Sequence, residues 1–75
     1  MTELTRRFEV LSDVDSWFAH RGFGLILTQE DGEYWAHVFS KRSLQMTAPR
    51  YGRGHLPEEA AESARERYKV EEEGA

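Results

Sequence analysis

Phe23-Gly24-Leu25-Ile26-Leu27-Thr28-Gln29-Glu30-Asp31-Gly32-Glu33-Tyr34-Trp35-Ala36-His37-Val38-Phe39-Ser40 decides the fold of this chain. Its first part, Phe23 to Gln29, is aliphatic and alternating. Asp31-Gly32 is a strong hairpin signal, because both central residues of a tight two-residue turn need a left-handed backbone that Asp and Gly tolerate. Tyr34 to Ser40 is then aromatic and β-branched, which suits a pleated, half-buried ribbon. A two-residue loop pairs Leu27 with Ala36, Leu25 with Val38 and Gln29 with Tyr34 on one face. The other face carries Ile26 with His37, Thr28 with Trp35 and Gly24 with Phe39. Both faces are apolar, and only a loop with an odd number of residues would change which side chains share a face.

Working outward, Lys41 and Arg42 mark the next turn, and Leu44, Met46 and Ala48 alternate with Gln45 and Thr47 as a third strand. Pro49, which has no amide hydrogen to donate, ends that strand or confines it to an edge. The face that receives Leu44, Met46 and Ala48 depends on one residue of loop length. A three-residue loop, the preferred reading, places all three beside Leu25, Leu27, Ala36 and Val38; a two-residue loop gathers them with Trp35, His37 and Phe39. Tyr51-Gly52-Arg53-Gly54 reads as a flexible basic connection.

A helix is expected on each side of this ribbon. Ser12-Asp13-Val14-Asp15 reads as a helix start, with the Ser hydroxyl accepting from an orphan amide and Asp15 on the positive end of the helix dipole. Leu11, Val14, Trp17 and Phe18 form its apolar stripe, and Gly22 provides the left-handed stop that would bring Phe23 onto Phe18. Pro57-Glu58-Glu59 opens the second helix. Its narrow stripe of Leu56, Ala60, Ala61, Ala64 and Tyr68 lets it lie close on a sheet, while Glu58, Glu62, Arg65, Glu66 and Lys69 face water. The expectation is therefore an α+β domain in the order α-β-β-β-α, with a three-stranded antiparallel sheet and both helices on one face. The 75 residues form one domain, with residues 1–10 and 71–75 frayed.

Composition narrows the chemistry. The chain has no cysteine, which removes disulfides, thiolate metal sites and a cysteine nucleophile, and fits a reducing cytoplasm. No apolar run approaches a membrane span and the first ten residues mix charges with single apolar residues, so no membrane association is expected. His20, His37 and His55 lie apart on a helix, a strand and a loop, without a carboxylate or second histidine at ligand spacing, so no metal or cofactor is expected. The serines lie in no nucleophile context and no titratable pair stands out, so the chain reads as a binder and not an enzyme. Gly52-Arg53-Gly54 before a helix resembles a phosphate cradle, but Glu58 and Glu59 would repel an anion there and Pro57 removes a donor.

Charge is unevenly spread. Fourteen acidic and ten basic residues give a net charge of −4, and the excess falls entirely after His55. Between Tyr34 and Pro57 there is no acid, while Lys41, Arg42, Arg50 and Arg53 fall there among Trp35, Phe39 and Tyr51. Cations beside rings are what nucleic-acid binding uses, so Lys41, Arg42, Arg50, Tyr51 and Arg53 form a nucleic-acid candidate. The favoured candidate is the face carrying Trp35, His37 and Phe39. Two helices on a three-stranded sheet normally cover one side, and the apolar side left over calls for a protein partner or a second copy.

From Gly24 to Tyr68 the chain resembles two families. The strand, the Glu30-Asp31-Gly32-Glu33-Tyr34-Trp35-Ala36 turn and second strand, a third strand and the Pro57-Glu58-Glu59-Ala60 helix start are similar to the N-terminal domain of HicB-like antitoxins. That resemblance implies a protein-binding, antitoxin-like or regulatory role, although the proline-rich turn and Thr cap usual in that family are absent. The same element order resembles the double-stranded RNA-binding domain, whose last helix grips phosphate with lysines; Glu58 and Glu59 stand at the corresponding positions and argue against duplex RNA binding in that mode. Tyr51-Gly52-Arg53-Gly54 followed by Glu58-Glu59-Ala60-Ala61 and Arg65-Glu66-Arg67-Tyr68 also resembles small bacterial proteins of unassigned function, a likeness that implies none.

Overall fold

The computed structural model describes residues 3–74 and consists of α1 (Glu3–Ala19), β1 (Phe23–Glu30), β2 (Glu33–Ser40), β3 (Met46–Gly54) and α2 (Pro57–Gly74). The strands form one antiparallel sheet in the order β1-β2-β3, so the fold is the expected α+β arrangement. The hairpin between β1 and β2 has the expected register, from Phe23 opposite Ser40 to Glu30 opposite Glu33. Asp31 and Gly32 both take positive φ, 52° and 76°, as the tight turn demands.

The core lies between the two helices and one face of the sheet. Val14 and Phe18 of α1, Ala36 and Val38 of β2, Tyr51 of β3 and Ala60, Ala61 and Ala64 of α2 are buried together, with Leu25, Leu27 and Ala48 packed against them. Beside this cluster Tyr68 gathers the rings of Trp17, Phe18 and Phe23, each met edge-on at 5.5–5.7 Å. Gly22 follows α1 with a φ of 82°, and the Phe18 and Phe23 rings, expected to meet each other, each meet Tyr68.

Three local expectations change. First, α1 starts at Glu3 and Ser12 lies exposed in its middle, because Val10 and Leu11 have core to pack against and Arg7 reaches Glu58 of α2 at 3.3 Å. Packing of these extra turns outweighs a cap signal of about 1 kcal/mol. Residues 3–10 are therefore helical, and α2 likewise keeps its geometry through Gly74; residues 1, 2 and 75 of the expected frayed ends lie outside the described residues. Second, the Glu58 side chain is largely buried by its pairing with Arg7 and does not face water.

The third correction concerns β3. Tyr51-Gly52-Arg53-Gly54 is its second half, paired with β2 from Tyr34 opposite Gly54 to Ala36 opposite Gly52. The glycines serve contact: a Cβ on Gly52 would run into the Ala60 carbonyl oxygen and the Ala64 amide nitrogen, and one on Gly54 into Glu59. A bare strand under an alanine stripe is what lets α2 lie against the sheet. The register of β3 also shifts twice, between the Ala36 and Val38 pairings and again between Val38 and Phe39. Ala48 therefore joins the core face opposite Val38, Met46 stands on the opposite face across from Phe39, and Leu44 sits in the turn with a φ of 59°. Neither loop length considered from the sequence places all three residues, since a bulge separates them.

Candidate functional site

The sheet face away from the helices carries Trp35, His37 and Phe39 of β2, flanked by Ile26 and Thr28 of β1 and by Met46, Arg50 and Arg53 of β3. Strand alternation puts them there, because Ala36 and Val38 between them point into the core. Ile26 is 43% and Met46 46% exposed, whereas Val14 and Phe18 on the other side are wholly buried. The Phe39 ring lies over Gly24, the one β1 position on this face with no side chain to hold it off.

His37 sits at the centre of a short hydrogen-bond chain. The backbone amide of Arg50 donates to its Nδ1 at 3.0 Å, and its Nε2 lies 2.7 Å from the Thr28 hydroxyl. A backbone amide only donates, so Nδ1 must accept and Nε2 carries the hydrogen. Arg50 has a φ of 51° and stands where β3 slips against β2, so its amide has no strand partner to use. His37 thereby satisfies the bulge and joins all three strands. Its role within this face is to hold β3 in its irregular register; the apolar area comes from Trp35, Phe39, Ile26 and Met46.

The Arg50 guanidinium reaches Glu30 at 2.6 Å and lies 5.2 Å from the centre of the Trp35 ring. Arg53 is directly opposite Trp35 in register. Lys41 and Arg42 are in the β2–β3 turn at the far end of the strands, where the Lys41 amide donates to the Gly22 carbonyl at 3.1 Å. Five strand residues separate that turn from Trp35, a span of about 20 Å. The four cations of the nucleic-acid candidate therefore form two separate pairs.

Tyr51 does not join them. It is 9% exposed and faces α2, where its hydroxyl donates to Glu71 and the Arg67 guanidinium lies 4.6 Å from its ring centre. Arg67 also donates to the Tyr51 carbonyl, at 3.2 Å. Burial first, and then the bond to the carboxylate, push the Tyr51 phenol up to about 12. The bulge at Pro49-Arg50 turns this ring inward; simple alternation from Ala48 could not have placed it.

Two clefts lie outside this face. One of about 460 Å³ runs along Trp17 of α1 and His20 and Arg21 of the turn that follows it, toward Arg65 of α2. Another of about 340 Å³ lies under the end of α2, among Phe23, Ala48, Tyr51, Tyr68 and Glu71. The Arg21 guanidinium stacks 3.6 Å above Trp17 in the first, and neither brings together three metal-ligating side chains among the described residues. No helix among the described residues is long and apolar enough to cross a membrane.

Comparison with known proteins adds no relative. No family model, no curated protein and no solved structure matches the chain.

Proposed function

We propose that this chain is a small cytoplasmic protein-interaction module, antitoxin-like or regulatory in role, that receives a protein partner on the face formed by Trp35, His37 and Phe39. One observation carries the reading: both helices pack on the opposite face, leaving Ile26 and Met46 exposed beside the half-buried rings of Trp35 and Phe39. Contiguous apolar side chains left open on a small domain are the usual mark of a binding surface. A rim of Arg50, Arg53 and Glu30 gives the patch a polar edge, the layout of protein interfaces. The chain acts as a binder in this reading, with no reaction, metal or cofactor assigned to it.

The test is site-specific photo-crosslinking in cells of the source organism. A crosslinker at Met46 should trap a discrete partner that one at Val70, exposed on α2, does not; Trp35→Ala should abolish the product. Equal labelling from both positions, or a product indifferent to Trp35, would exclude this face.

The placement of Arg50 and Arg53 beside Trp35 favours a second reading, single-stranded nucleic acid stacked on the ring. It retains only half of the basic set, since Lys41 and Arg42 stand apart and Tyr51 is buried. Charge reversal at Arg53 that leaves oligonucleotide affinity and its salt dependence unchanged would eliminate it.

A further inference from the structure

The two edges of the sheet are built differently, and the difference points to a partner distinct from that of the open face. Edge strand β3 contains Pro49, shifts register twice and bends through a left-handed Arg50, features that make a sheet edge unfit for pairing. Edge strand β1 has none of these. It runs straight for eight residues, pairs in unbroken register with β2, and carries no proline, no lysine and no charge before Glu30. The two-residue turn makes Glu30 and Glu33 a hydrogen-bonded pair. Alternate residues Thr28, Ile26 and Gly24 then also aim their amides and carbonyls at β2, and Phe23, Leu25, Leu27 and Gln29 aim theirs outward. That is an unguarded row of donors and acceptors, a template for another extended strand.

We propose that the occupant is β1 of a second copy of this chain, antiparallel about a two-fold axis through Ile26, giving a continuous six-stranded sheet with all four helices on one side. The sequence of β1 is complementary to itself in this register. Leu25 falls opposite the partner copy's Leu27, Phe23 opposite Gln29, and Ile26 opposite Ile26 in a close, non-hydrogen-bonded pair. Shifting the axis to Leu27 sets Leu25 against Gln29, and shifting it to Leu25 shortens the paired stretch from seven residues to five. The chosen register also keeps like charges apart, since the Asp31 end of each strand falls beside the Arg21 end of the other, whose guanidinium bonds Glu72 within its own chain. Four outward-facing residues per strand give up to eight intermolecular hydrogen bonds around a leucine-rich centre. This dimer uses the backbone of an edge and leaves Trp35, Phe39 and Met46 free, so it stands independently of the partner reading above.

Sedimentation equilibrium combined with amide hydrogen exchange over a concentration series tests the proposal. The expected result is a reversible dimer in which the amides of Leu25 and Leu27 become protected as the mass rises. Ile26→Lys, at a position already 43% exposed, places two cations opposite one another and should weaken the dimer more than about tenfold. Met46→Lys, across the same face on β3, should leave it intact. A chain that stays monomeric at all concentrations, a dimer whose Leu25 and Leu27 amides exchange freely, or a dimer lost on Met46→Lys and kept on Ile26→Lys would each overturn it. The last outcome would mean pairing through the open face.

Discussion

Replacing Gly52 with alanine should be the most damaging single-methyl change in this domain. The added Cβ would overlap the Ala60 carbonyl oxygen and the Ala64 amide nitrogen and come within 2.9 Å of Ala64 Cα. These are helix backbone atoms, which cannot rotate aside as a side chain would, so α2 must lift from β3 by about 1 Å to restore ordinary contact. Such a lift weakens the packing of Ala60, Ala61 and Ala64, all fully buried, over Tyr51 and Ala36. Overpacking of this kind costs about 1–3 kcal/mol, and an obstruction made of backbone belongs at the upper end. Alanine also restricts the unfolded chain, which offsets about 0.4–1 kcal/mol and leaves a net loss of about 2–2.6 kcal/mol. For 75 residues the unfolding entropy is about 0.16 kcal/mol per degree, so the thermal midpoint should fall by about 12–16 °C. Gly22→Ala is the control: nothing lies within 4 Å of its Cβ, and only its φ of 82° opposes the change, at about 1–2 kcal/mol. Calorimetry on the two variants decides the matter. A Gly52→Ala midpoint no lower than that of Gly22→Ala would refute the claim that α2 touches the backbone of β3.

Tyr51 should make the domain sensitive to alkali. Its folded-state value, about 12, exceeds the ordinary 10.0, so the stabilisation is complete below pH 10 and is lost as pH rises through 12; Tyr51→Phe should remove that component from alkaline unfolding curves. His37 should appear by nitrogen NMR as the neutral tautomer with hydrogen on Nε2, and His37→Ala, which orphans the Arg50 amide, should cost about 1–2 kcal/mol in denaturant unfolding. Glu30→Gln should change stability by less than about 0.5 kcal/mol, because the Arg50–Glu30 pair is more than half exposed on both sides; a larger loss in the same assay would show that it fixes the bulge.

Reading the sequence went furthest where local chemistry and global packing agree. Asp31-Gly32 between two alternating runs specifies the hairpin, its register and therefore which residues share the face with Trp35. Pro57-Glu58-Glu59 and the alanine stripe likewise specify where α2 starts and which side it turns to the sheet. The third strand was less legible because its geometry depends on non-local demands. Gly52 and Gly54 look like loop residues until the helix that needs bare backbone beneath it is in place. The turn at Pro49-Arg50 exists because Arg50 adopts a left-handed backbone and His37 captures its amide, and no periodicity announces either event. Adjacency in sequence groups Tyr51 with Arg50 and Arg53, and the same bulge sends it to the other side of the sheet. The first turns of α1 were hidden by Ser12-Asp13, a cap signal overruled once Val10 and Leu11 find core.

The pairing of an open and a covered sheet face is tested most directly by measuring, residue by residue, how strongly a soluble paramagnetic probe relaxes the methyl groups. Strong relaxation is expected at Ile26 and Met46 and almost none at Val14 and Val38 in dilute protein. Ile26 and Met46 methyls as well shielded as that of Val14, with NOE contacts to either helix, would contradict it.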